Sequence, residues 1–174
     1  MIDILKKLKG GDLRSIGKSD EVVKEILNSP SLFKNVLEGI ADKDSLIRMR
    51  SADVIEKVSV KHPEYLQPFK SKLIDEFSKI NQQEVRWHLA QMFSYVKVNK
   101  KERDKIIQIL LSWINEEKSK IVKTFSLETL ACFAEKDEKI KQMIIKVIKD
   151  SIKSGSPAIV SRGKKLLVRL GERE

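Results

Sequence analysis

Apolar and small residues return in one helical register four times along the chain. With Ile47, Val85, Val122 and Ile159 as position zero, offsets 4, 7, 8 and 11 read Ser51, Val54, Ile55 and Val58, then Leu89, Met92, Phe93 and Val96. The third copy reads Ser126, Thr129, Leu130 and Phe133, and the fourth Gly163, Leu166, Leu167 and Leu170. These offsets share one stripe of a helix with about 3.6 residues per turn. The copies start 38, 37 and 37 residues apart. Recurrence at that spacing marks stacked supersecondary units, because no single unit can bury its own apolar face.

A second stripe precedes each copy across a short polar connection. It comprises Leu32, Phe33, Val36, Leu37 and Ile40; Leu66, Phe69, Leu73, Phe77 and Ile80; Ile106, Ile107, Leu110, Leu111 and Ile114; and Ile140, Met143, Ile144, Val147, Ile148 and Ile152. Each unit is therefore predicted to be an antiparallel helix pair. Start signals support the second helices. Asp44, Ser119 and Ser156 can each accept a hydrogen bond from an orphan amide, Asn81 with Glu84 can form a capping box, and Pro157 suits a first helical position. The predicted repeats span 30–61, 62–99, 100–136 and 137–174. Residues 1–29 break the period, and the short helices Met1–Lys9 and Asp20–Asn28 around Gly10, Gly11 and Gly17 are read as a cap.

The segments Val85–Phe93 (VRWHLAQMF) and Ile47–Ile55 (IRMRSADVI) resemble HEAT and armadillo repeats, in which an aliphatic and then a basic residue open the second helix. Arg48, Arg86 and Lys123 fit the basic position, whereas Val160 departs from it. The resemblance covers residues 30 to 170. It implies an all-α, right-handed α-solenoid of about four helix pairs with an N-terminal helical cap, forming one domain over 1–174. It also implies that the second helices line a concave groove.

Offsets 2, 6 and 9 lie nearly opposite the apolar stripe. On the groove reading they form three rows: Met49, Trp87, Thr124 and Ser161; Asp53, Gln91, Glu128 and Lys165; and Glu56, Ser94, Ala131 and Val168. Trp87, beside Arg86 and Met49, would be a rigid anchor for a partner or would pack across the groove. Arg48, Arg86 and Lys123 would either bind anions or brace the stacking. On the last helix Arg162, Lys165, Arg169 and Arg173 follow at intervals of three or four, on a side with no later repeat to cover it. The equivalent slots hold His88 with Tyr95 and Phe125 with Cys132, as suits a packed neighbour. The basic end is a polar cap or an electrostatic docking end.

Charge refines this picture. The net charge is +10, and residues 1–80 carry 15 basic and 13 acidic side chains against 13 and 7 in residues 119–174. Lysines outnumber arginines 27 to 8, which disfavours bidentate phosphate recognition. One cysteine, Cys132, excludes an internal disulfide framework and reads as a buried, inert thiol. Two histidines, no CxxC or HExxH motif and no Gly-rich phosphate loop give no metal or cofactor site, so the expected cofactor is none. No apolar run approaches the roughly 18 residues of a membrane span, and the opening residues lack a secretion-signal core, so a cytoplasmic location is expected.

The function expected is non-enzymatic protein binding, to a partner that is acidic on the basic-end reading, through the groove or the basic end. Nucleic-acid binding is the alternative. A third reading is similarity to bacterial alkylpurine DNA glycosylases, which are also basic and HEAT-like; it would pair Trp87 and Trp113 with Glu116, Glu117 or Glu128, without a motif matched residue by residue.

Overall fold

The computed structural model of the chain describes residues 4–116 and 118–172, and among them the regular structure is entirely helical. Ile47, Val85, Val122 and Ile159 are all buried, so the register that defines the repeats is a core register. Two compact units form, one ending at Lys97 and one beginning at Val98.

The first unit is organised around α3 (Ser45–Lys61), which packs against α1 (Ser19–Asn28), α2 (Phe33–Glu38) and α6 (Gln83–Met92). Asp44 starts α3, its Oδ1 accepting the Leu46 N–H at 2.8 Å, and Pro63 follows its C-cap at His62. With neighbours on several sides, α3 buries polar as well as apolar positions: Arg50, Ser51, Asp53 and Ser59 alongside Ile47, Val54, Ile55 and Val58. Each fully buried aliphatic side chain contributes roughly 1.5–3 kcal/mol relative to exposure.

The stripe from Leu66 to Ile80 is not one helix. It is divided into α4 (Pro63–Leu66), a 3-10 turn Gln67–Phe69, α5 (Lys70–Asp75) and a 3-10 turn Phe77–Lys79. Pro68, lacking an N–H, cannot continue the α-helical hydrogen-bond ladder. Leu66, Leu73 and Phe77 are nonetheless fully buried. The expected capping box at Asn81 and Glu84 does not form: α6 starts at Gln83, after Gln82. Gln82 instead joins α6 to the start of α3, donating to the Ser45 carbonyl at 3.0 Å and accepting from Arg48 Nε at 2.7 Å. The described part of the predicted first helix is a 3-10 segment, Ile4–Leu8.

The second unit consists of α7 (Lys100–Glu116), α8 (Lys120–Ala134), α9 (Glu138–Ser154) and α10 (Pro157–Arg169). Helix α7 packs on α8, α8 on α9, and α10 on both α8 and α9. A reciprocal capping box opens α7: Asn99 Oδ1 accepts the Glu102 N–H at 2.9 Å, and Glu102 Oε2 accepts the Asn99 N–H at 2.8 Å. Asp137 caps α9 through the Lys139 N–H and takes a 2.6 Å hydrogen bond from Arg103 of α7. Ser119 and Ser156 occupy the N-cap positions of α8 and α10 without side-chain capping bonds, and Pro157 takes its predicted place. Gly163 lets α10 approach α9, since a Cβ there would lie 2.6 Å from Ile152 Cγ1.

Candidate functional site

The basic residues that follow position zero are directed inward in the first unit. Arg48 Nη1 donates to the Asp42 and Lys43 carbonyls at 2.9 and 3.0 Å, and Arg86 Nε donates to the Ile80 carbonyl at 3.1 Å. Each guanidinium thus turns back onto the connection before its own helix and satisfies carbonyls that helix ends leave open. Lys123 has a different setting. It borders a cleft of about 400 Å³ within the second unit, against Ile114, Leu127, Val147 and Ile159, with Asp150 on the rim.

The face opposite the apolar stripe is not uniformly open. Met49 is 7% exposed and belongs to the core of the first unit, so it is no groove-lining residue. Asp53 is buried too, accepting from Lys57 at 2.9 Å, while Lys57 also reaches Asp20 on α1 at 2.8 Å. Lys57 thus ties Asp53 to α1, a neighbour that a wheel drawn from the repeat alone omits. Trp87 is part-exposed on α6, its ring 4.3 Å from that of His88. Ser161, Lys165 and Val168 are exposed on α10, whereas Ala131 of α8 is buried.

The basic end is arranged differently from the expectation. Arg162 Nη1 donates to Glu128 Oε2 at 2.6 Å, Arg169 Nη1 donates to Glu128 Oε1, and Arg169 Nε lies 2.7 Å from Glu135 Oε1. The side carrying Arg162 and Arg169 therefore faces back onto α8 rather than away from the last repeat. Burial pushes the Glu128 carboxyl up, but hydrogen bonds from Arg169 and Arg162 prevail and hold it below its ordinary value. Lys165 remains exposed, and Arg173 lies outside the described residues.

Offsets 3 and 10, one heptad apart, are the slots read from the sequence as meeting a packed neighbour; that reading did not include Arg50 and Lys57 of the first repeat. Arg50 and Lys57 reach the N-terminal segment, Tyr95 donates to Glu56 of α3 at 2.7 Å, and Arg162 and Arg169 reach α8. These five side chains each contact the layer before their own helix, whereas Cys132 meets Arg169 of the helix pair that follows. The recurrence of polar and aromatic residues there was available as a signal. Arg50 is 1% exposed and donates to the carbonyls of Leu8, Gly10, Asp12 and Ser15 at 2.8, 2.6, 3.3 and 3.1 Å. Gly17 faces that guanidinium with φ +55°; a Cβ there would lie 2.8 Å from Arg50 Cζ. His88 is 4% exposed, and burial lowers its pKa to about 4. Burial also raises the Glu56 carboxyl against the opposing hydrogen bond from Tyr95.

Cys132 is half-buried rather than buried; desolvation raises its thiol pKa, and Arg169 Nη2 lies 3.6 Å from Sγ. Of the glycosylase-like set, Trp113 is buried in the second unit and Glu128 is engaged by two arginines. Glu116 is exposed, and Glu117 lies outside the described residues. Among the described residues no three His, Cys, Asp or Glu side chains are grouped to hold a metal ion, and no helix is long and apolar enough to cross a membrane.

Comparison with curated proteins and with solved structures gives no match. A profile of the HEAT repeat domain matches residues 12–133, from the N-terminal loop held by Arg50 to the last turn of α8. Most of the chain is covered, including both segments that open with Ile-Arg or Val-Arg, and the chain belongs to the HEAT repeat domain family.

Proposed function

We propose that the chain is a non-catalytic scaffold that binds another protein through part-exposed faces of its second helices. The contacts are Trp87 in the first unit, and Lys123 and Lys165 in the second. HEAT repeats are generally used for protein interaction, which supports the class. The observation that carries the reading is Trp87: Val85, His88 and Leu89 around it are buried, yet this large aromatic remains part-exposed on α6. A rigid aromatic in that setting is the kind of anchor on which interface energy concentrates. The pairing of Arg162 and Arg169 with Glu128 and Glu135 lowers the positive potential available to nucleic acid at the C-terminal helix.

Affinity capture from the native host, compared between wild type and Trp87→Ala, tests the proposal. Capture should weaken while stability to unfolding changes by less than about 1 kcal/mol. Unchanged capture, with a large loss of stability, would identify Trp87 as a packing residue and overturn the reading. Retention on DNA that falls steeply with salt would replace it with nucleic-acid binding.

A further inference from the structure

The second unit carries a groove of about 520 Å³ lined by α9 and α10. Its floor is aliphatic: Ile152 of α9 with Leu167 and Val168 of α10. Three lysines, Lys149, Lys153 and Lys164, line it with one acid, Glu172, so its charge is net basic. Val168 is 61% exposed, more than any other large apolar side chain among the described residues. The two helices place their lining residues at the same spacing. Lys149, Ile152 and Lys153 on one, and Lys164, Leu167 and Val168 on the other, stand at i, i+3 and i+4, so each apolar group lies one turn from a lysine.

We propose that this groove is the docking site for an acidic amphipathic helix of a partner protein. The inference rests on the scaffold reading above and specifies the partner's chemistry. Aliphatic anchors at i, i+3, i+4 and i+7 on such a helix would cover the floor, and glutamates or aspartates beside them would meet the lysines. Charge complementarity chooses this occupant over two others. A second copy of the chain would bring an identical lysine rim against this one, with net charges of +10 opposed. A phosphate backbone would gain nothing from Ile152, Leu167 and Val168, and the rim contains no arginine for bidentate phosphate contact. The lysines can exchange partners. Lys149 is paired with Glu172 and Lys153 with Asp150, but both contacts are solvent-exposed, and such pairs are weak.

The test is fluorescence anisotropy on the full chain, with a labelled synthetic helix bearing leucines at i, i+3, i+4 and i+7 flanked by glutamates. Saturable binding is expected. It should weaken about tenfold or more with Val168→Asp, which is exposed enough to leave thermal unfolding unchanged, and to a similar extent when serines replace the leucines. Lys164→Glu should weaken it further, and the same peptide with lysine flanks should not bind. The proposal fails if binding does not saturate, survives Val168→Asp or persists with the serine peptide. It also fails if duplex DNA displaces the peptide, or if sedimentation shows a dimer that Val168→Asp dissolves. Peptide binding should be indifferent to Trp87→Ala. Absent peptide binding with a Trp87-dependent native partner still captured would refute the groove and leave the scaffold reading intact.

Discussion

Arg162 of α10 donates to Glu128 of α8 at 2.6 Å, and Arg169, two turns further on, engages the same carboxylate. One acid thus holds two basic side chains of the final helix. Glu128→Ala should cost about 1 kcal/mol at low salt and less at high salt, because all three side chains are partly solvated. Urea unfolding at two ionic strengths measures this. The same variant releases two arginines, so its retention on a polyanion column should exceed that of the wild type.

His88 predicts a specific acid response. Its pKa is 6.5 when unperturbed and about 4 in the folded chain, so the unfolded state takes up the proton first as pH falls. Stability is therefore complete above about pH 6.5 and declines towards pH 4, by roughly 3 kcal/mol from this group. Denaturant midpoints collected across that range should slope for the wild type and flatten for His88→Leu. Asp53, Lys57 and Glu84 act on the same imidazole, with burial as the largest influence.

The loop around Arg50 predicts two separable losses. Arg50→Met would leave the carbonyls of Leu8, Gly10, Asp12 and Ser15 without their donor, at about 3 kcal/mol. Gly17→Ala would place a Cβ against the guanidinium at a positive φ, at about 1–2 kcal/mol. Both variants should be cut faster by protease within residues 9–18, with the helices beyond Pro30 affected less.

Gly163→Ala should destabilise, although alanine at an exposed helical position would gain up to about 1 kcal/mol over glycine. Its Cβ would press on Ile152 at 2.6 Å, and overpacking of this kind costs roughly 1–3 kcal/mol. A lower thermal midpoint checks it; a raised midpoint would show that Ile152 can move aside.

The repeat core was legible in the sequence because burial obeys the helical period: Ile47, Val85, Val122 and Ile159 are all interior. The candidate surface was less legible, for reasons visible at particular residues. Asp53 sits on the side of α3 away from the apolar stripe, yet it is buried and its partner Lys57 reaches Asp20 of α1, a helix that the repeat pattern does not contain. The spacing of Arg162 and Arg169 places them on one side of a helix, but what that side meets depends on a carboxylate 34 and more residues earlier in the chain. Caps depend on single hydrogen bonds, so Asn99 with Glu102 closed the box that Asn81 with Glu84 did not.

The guanidinium of Arg50 gives the aperiodic opening residues a role that composition conceals. A fragment trimmed to begin at Pro30 would keep every predicted helix pair while uncovering a cation and the polar centre of α3. Division of this chain into a decorative leader and a self-sufficient array is therefore unphysical: the first layer is finished from outside the repeat, by main-chain oxygens of a loop that Gly10 and Gly17 let turn.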